Sequence, residues 1–304
     1  MMLPQRLQKL ENDSELNDIL AEAKKLPPDA KAALMRYFYS LYQDRAVPPL
    51  DAFLYDNDYL GLGKTDVYRP VVGALHIIDD PTVHEIFVCA GKGSGKSTLV
   101  SLAQARMLYR VLSYVNPHEY FNLMPGALIA LVNMSISSRQ AINVIFYRFK
   151  TFLQRIHEFQ KVPKRMFLKF KETAGEDYRV KDFFGKERVD VDLYQEVIGA
   201  VHFVDKAVIA LSGHSRVESF LGYDIIFGSL DEWSRFPRPK TKLVSEEDAS
   251  NPAEETYHGI QSQAFSRFPE HYKMIGISSP WSKVDDPVYS RYEALKDIGV
   301  AIEI

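Results

Sequence analysis

The chain has 304 residues, of which 46% are apolar and 25% charged, with a net charge of −3. That composition fits a folded globular chain with one large core, and it excludes a surface coated in basic residues, although nucleic-acid contact by a local patch remains open. Cys89 is the only cysteine, so no disulfide forms within the chain, and a reducing cytosolic setting fits. The N-terminus lacks the apolar core of a signal peptide, and no apolar run reaches the length of a bilayer span, so no membrane role is expected.

In chain order, residues 1–48 read as a helical region. Asp13 or Ser14 caps a first helix running to Lys25, and Pro28 opens a second, with Leu34, Tyr37, Phe38 and Leu41 at helical spacing. The product is a hairpin that packs on the main domain or docks a partner. Ala46-Val47-Pro48-Pro49 then marks a boundary, and residues 49–304 form the main domain.

Glu85 to Cys89 is a short apolar strand, and Ser97 to Ser113 is a helix with Leu99, Ala103 and Met107 on one face. Between them lies AGKGSGKS, Ala90 to Ser97, in the strand-loop-helix setting that a phosphate-binding loop requires. Gly91, Gly93 and Gly95 let backbone N–H groups close around phosphate. Lys96 supplies a point charge to the β- and γ-phosphates, and Ser97 offers a hydroxyl to Mg²⁺. The nucleotide-binding stretch is therefore Ala90, Gly91, Lys92, Gly93, Ser94, Gly95, Lys96, Ser97 and Thr98. Ala90 stands where the usual pattern has glycine, which a tight turn accepts if φ is negative there.

Ala127 to Val132 reads as a strand buried on both faces. Ser138 to Glu158 follows as a helix presenting Ile142, Ile145, Phe149, Phe152 and Ile156 on one side. Residues 160–195 are charged and hard to place; Lys161, Lys164, Arg165, Lys169 and Lys171, with Phe167 and Phe170 among them, form a basic and aromatic run. Asp190 and Asp192 share a strand face and read as a solvated edge rather than a two-metal site. Val197 to Leu211 is a hairpin turning at Asp205-Lys206, and Pro237 to Ala253 is a surface loop.

Tyr223 to Glu232, YDIIFGSLDE, is an apolar strand ending in adjacent acids. Asp231 suits Mg²⁺, and Glu232 suits a base that orients and deprotonates an attacking water. GTPases and nucleotide kinases usually lack a base here, and no Asn-Lys-x-Asp guanine-reading motif occurs, so an ATP hydrolase driving a motor is preferred. Tyr272 to Ile277 is a further strand, ending in Ser278-Ser279-Pro280, whose hydroxyls are placed to sense the γ-phosphate. Gly299 to Ile304 reads as the last strand of a mainly parallel sheet with helices on both faces.

The ordered motifs AGKGSGKS, NMSISSRQAINVIFYRF, IIFGSLDEW and IGISSPWSKVDDPVY resemble those of the ATPase domain of the large terminase subunit of tailed bacteriophages, over residues 65 to 300. The resemblance implies an α/β P-loop NTPase of the RecA-like type with a catalytic glutamate, plus a small N-terminal helical region. It implies an ATP- and Mg²⁺-dependent motor in the host cytoplasm that moves double-stranded DNA into procapsids. The implied partners are duplex DNA, neighbouring copies in a homo-oligomeric ring, a portal protein and a small terminase subunit. By the same resemblance Lys92 is the basic residue often found in such loops and joins Glu232 and Lys96 in the catalytic set, with Ser97 and Asp231 on Mg²⁺. Ser278 and Ser279 couple hydrolysis to DNA movement, from a strand lying between those of the phosphate loop and Asp231. Arg216 and Arg139 are the candidates for a charge-stabilising arginine. Tyr68-Arg69-Pro70 lies where related motors contact adenine, without the expected glutamine. Arg235, Arg238, Lys240 and Lys242 offer a second basic run toward DNA phosphates. The nuclease domain that usually follows is not expected in this chain. Two other readings stay open: a helicase or remodelling ATPase, and a non-motor module in which ATP fixes a conformation.

Overall fold

The structure, a computed structural model, describes residues 46–156, 159, 195–197, 199–214, 220, 222–232, 252–279 and 301–303. The expected helical hairpin before Ala46, the run Lys161 to Lys171, Asp190, Asp192, Arg216 and the basic residues from Arg235 to Lys242 lie outside the described residues.

Pro49 does not only break the chain; it stands at the N-terminus of a short helix, α1 (Leu50–Tyr55), whose Leu50, Phe53 and Leu54 are buried. Helix α2 (Arg69–Asp79) carries Pro70 in its first turn, where a missing N–H costs nothing, and buries Val71, Ala74, Leu75 and Ile78. Strand β1 (Glu85–Cys89) leads through the glycine loop into α3 (Lys96–Ser113). The single apolar face expected for this helix is there, with Leu99, Ala103 and Met107 buried, but nearly every other side chain is buried too. The reason is that α3 is wedged between α2, the sheet and the helix after β2. Its buried Arg106 is compensated by a two-point pairing with Asp79 at 2.9 and 3.2 Å.

A short helix α4 (Pro117–Tyr120), capped by the Asn116 side chain, precedes β2 (Ile129–Ser135), every residue of which is buried. The helix expected over Ser138 to Glu158 is not one regular helix. It begins as α5 (Ser138–Gln140), widens into a π-helical segment over Ala141–Phe146, and resumes as α6 (Tyr147–Leu153). Strand β3 (Gln195–Val197) follows, and then β4 (Ala200–Phe203) pairs antiparallel with β5 (Val208–His214) around the expected turn at Lys206. The chain continues through β6 (Asp224–Asp231), α7 (Pro252–Arg267), β7 (Lys273–Ser278) and β8 (Ala301–Glu303). The loop expected to reach Ala253 gives way to α7 at Pro252, again a proline in a first helical turn.

The strand order is β3-β4-β5-β2-β6-β7-β1-β8. Neighbours from β5 to β8 are parallel, and the β3-β4-β5 edge is antiparallel. Strand β7 thus lies between the strand of the phosphate loop and the strand of Asp231, as expected. Helices cover both faces. A methyl group on Gly228 would lie 3.2 Å from Ile260 of α7, whereas the neighbouring Ser229 hydroxyl reaches Asn133, itself bonded to Gln104 of α3. Adjacent strand residues point to opposite faces, so α7 and α3 lie on opposite sides. Parallel strands put all their carboxyl ends on one edge, and the site is built there.

Candidate active site

The loop after β1 takes its shape from two left-handed glycines, Gly93 at φ 87° and Gly95 at φ 93°. At Gly95 a side chain faces a second obstacle, since an added Cβ would sit 2.8 Å from Val71 Cγ2 of α2. Gly91 and Ala90 have no positive φ, so Ala90 in place of glycine is no obstacle to the turn. Ala90 also extends β1, its N–H donating to the Ser278 carbonyl at 3.1 Å.

Lys96 opens α3, only 8% exposed, and its amine curls back over the loop. It donates to the carbonyls of Ala90 at 2.6 Å and Gly91 at 2.8 Å, and to Ser279 Oγ at 3.2 Å. Ser94 Oγ, between the two left-handed glycines, is buried without a hydrogen-bond partner among the described residues. An anion with several oxygens fits such a loop, because it would satisfy that hydroxyl, the helix N–H groups and the amine together.

Asp231 ends β6 and is 4% exposed. Burial, and then the neighbouring charge of Glu232, push its carboxyl up to about 6, against the pull of Gln140 and Lys96. Gln140 Nε2 donates to Asp231 Oδ2 at 3.5 Å. Glu232 sits in the turn just beyond with φ 51°, a left-handed conformation that is uncommon for a residue with a side chain. Its Oε1 accepts from Ser279 Oγ at 3.2 Å, so Ser279 touches both the loop lysine and the glutamate. The Ser97 hydroxyl and the Asp231 carboxylate are hard oxygen donors of the kind Mg²⁺ takes.

Of the residues singled out from sequence, the structure gathers Lys96, Asp231, Glu232 and Ser279 into one set of contacts, with Ser278 tied to the start of the loop. Lys92 and Arg139 are exposed, and the position of Arg216 lies outside the described residues. Two residues come to the site unforeseen. One is Gln140, on Asp231. The other is Arg148, whose Nη1 donates to Thr98 Oγ1 at 2.9 Å on the flank of the loop. Both belong to the segment after β2, where the π turn changes which residues face α3. The same segment is clamped by Ser101 of α3, which donates to Ile145 O at 3.0 Å and Ser97 O at 2.7 Å.

A glycine loop between strand and helix, closed over by its own lysine and faced by an acidic strand end, defines a P-loop nucleotide-binding domain. Residues 74–302 match the family described as "Uncharacterized protein MJ0330, N-terminal P-loop domain", and the chain belongs to that family. No curated protein matches it. Among solved structures it is similar to the large terminase ATPase domain of Thermus phage P74-26, at 17% identity over 82% of this chain and 74% of that one, with a TM-score of 0.45. It is also similar to the large terminase of a second thermophilic bacteriophage, at 9% identity over 78% of this chain and 44% of that one, with a TM-score of 0.42.

Proposed function

We propose that this domain hydrolyses ATP and uses the cycle to move double-stranded DNA, as the motor of a large-terminase-type packaging machine. The observation that carries the reading is the Ser279 hydroxyl, which contacts both Lys96 and Glu232 from the end of the strand interposed between theirs. A lysine for phosphate and an acid for water chemistry thus share one hydroxyl, and a change at either is felt by the other.

The chemistry follows from the residues. The loop amides and the α3 N-terminus hold the phosphates of ATP, and Lys96 exchanges the Ala90 and Gly91 carbonyls for phosphate oxygens. Glu232 orients a water in line with the γ-phosphorus and accepts its proton. Ser97 and Asp231 would hold Mg²⁺, which neutralises charge on the phosphate oxygens. Arg148, beside Thr98, adds positive charge at the same flank. A domain that only bound nucleotide would have no need of a base held in a strained backbone conformation.

Duplex DNA, a homo-oligomeric ring, a portal protein and a small terminase subunit are the partners this reading implies, in the host cytoplasm. The test is steady-state ATP hydrolysis with and without long duplex DNA, beside Lys96→Ala. Turnover that needs Lys96 and rises with DNA supports the motor. Turnover indifferent to duplex DNA removes the motor and leaves an ATPase. Mg²⁺-dependent binding without turnover leaves a nucleotide-binding module.

A further inference from the structure

Three polar side chains lie inside the core and take no part in the chemistry above. Gln104 of α3, Asn133 of β2 and Ser229 of β6 are each 0% exposed. They form one continuous chain: Ser229 Oγ donates to Asn133 Oδ1 at 2.6 Å, and Asn133 Nδ2 donates to Gln104 Oε1 at 2.6 Å. Gln104 Nε2 in turn reaches the Leu131 carbonyl at 3.4 Å.

Leu131 marks the one irregularity in the pairing of β2 with β6. Ala130 faces Ile225, but Leu131 faces Phe227, so Ile226 is an extra residue on β6. A bulge of this kind is rare between parallel strands and re-aims every side chain beyond it. Because side chains alternate, a slip of one residue would turn Ser229 and Asp231 to the opposite face of the sheet. Apolar side chains on β2 and β6 tolerate either register. The hydrogen-bonded chain does not, since in any other register three buried polar groups lose their partners, at about 1–3 kcal/mol each.

We infer that Gln104, Asn133 and Ser229 are positioning residues that lock the register of β6 and thereby fix where Asp231 stands relative to the phosphate loop. They link the helix that carries Ser97 to the strand that carries Asp231, the two sources of Mg²⁺ ligands. This rests on the reading of Asp231 as a Mg²⁺ ligand, and its consequence falls on the metal rather than on nucleotide binding itself.

The experiment is a Mg²⁺ titration of fluorescent ATP-analogue binding to the full chain, with thermal unfolding recorded alongside. Removing a group that orients a metal ligand usually weakens the metal 10–100-fold, so Ser229→Ala should raise half-saturating Mg²⁺ about tenfold. Binding of the analogue in EDTA should stay within about twofold of the wild type. Gln104→Met, which keeps the length and removes the amide, should do the same and covers the case in which Ser229→Ala does not fold. Ser113→Ala is the control for lost stability: Ser113 is equally buried and donates to the Arg110 carbonyl at 2.6 Å, at the far end of α3, so its Mg²⁺ dependence should match the wild type. If Ser229→Ala and Gln104→Met titrate like Ser113→Ala while Asp231→Asn is shifted, the register lock is wrong and the site reading stands. If Asp231→Asn itself titrates like the wild type, the site reading falls.

Discussion

Lys96 and Glu232 meet through a single hydroxyl, since Ser279 Oγ stands 3.2 Å from Lys96 Nζ and 3.2 Å from Glu232 Oε1. The hydroxyl accepts from the ammonium and donates to the carboxylate, so each charge strengthens the other bond. Ser279→Ala keeps the loop and the acid but frees both from this shared anchor. It should lower kcat about tenfold, the equivalent of one hydrogen bond of roughly 1.4 kcal/mol, with KM for ATP changed less than about twofold. Ser279→Thr, which keeps the hydroxyl, should recover most of the rate. An equal rise in KM would place Ser279 in nucleotide binding instead.

Glu232 holds φ 51°, where a side chain costs roughly 1–3 kcal/mol and glycine costs little. Glu232→Gly should therefore raise the unfolding temperature while abolishing turnover. Glu232→Gln keeps shape and backbone cost, so it should bind ATP like the wild type and lose turnover by at least about a hundredfold. Turnover that survived in Glu232→Gln would remove the glutamate from the mechanism, whatever its backbone conformation.

The loop glycines are not equivalent. Gly91 has no positive φ, and a methyl group added there would meet nothing within 4 Å, whereas Gly95 combines φ 93° with Val71 Cγ2 at 2.8 Å. Gly91→Ala should fold with little loss, and Gly95→Ala should lose about 1–3 kcal/mol and most of its ATP affinity. Urea unfolding and analogue binding on the two variants measure both effects.

Those contrasts show what the sequence made legible. The loop, β1, β2, β6 and β7 announce themselves because a strand buried on both faces is a near-continuous apolar run. The strands β1, β6 and β7 also end in residues with no reason to be there except chemistry: glycines after Cys89, acids after Leu230, serines after Ile277. The segment after β2 is different. Its apolar spacing at 3.6 residues predicts one helix, and Ile145, Phe149, Phe152 and Ile156 are indeed buried. Yet the π turn over Ala141–Phe146 adds a residue to the helix and leaves Ile142 only half-buried, and the regular helix stops at Leu153. A phase change of that kind has no signature in periodicity, which is why Gln140 and Arg148 went unnoticed. Gln104, Asn133 and Ser229 were hidden for another reason. Each is a lone polar residue in an apolar run, far from the others in the chain, and only the register of the sheet brings them together.

Asp231 carries a cost in stability. Its folded carboxyl is raised to about 6 from 3.8, so its contribution is fully present below the lower value and is lost as pH rises through the upper one. At pH 7 the buried ionised form weakens the fold, by roughly 2 kcal/mol at this shift. Asp231→Asn should therefore unfold at higher urea than the wild type at pH 7, while losing Mg²⁺-dependent binding. A variant no more stable than the wild type would mean that the carboxylate is better solvated than its 4% exposure implies.

His271 works in the opposite direction at the amino edge of the sheet. Burial first, and then the positive groups of His84, Arg110 and Lys273, push its imidazole down to about 4 from 6.5. Glu270 lines the same small cavity, of about 60 Å³, with Arg110, Tyr114 and Lys273. A base with a depressed folded value contributes stability above 6.5 and loses it as pH falls through 4, about 3 kcal/mol in all at this shift. Over nearly the same window Asp231 gains stability on protonation, so the two slopes oppose each other in the wild-type chain. Asp231→Asn exposes the histidine alone, and its stability should fall steeply between pH 6.5 and 4. Adding His271→Gln to that variant should flatten the fall. A slope that persists in the double variant would assign the acid sensitivity to other carboxylates of the chain.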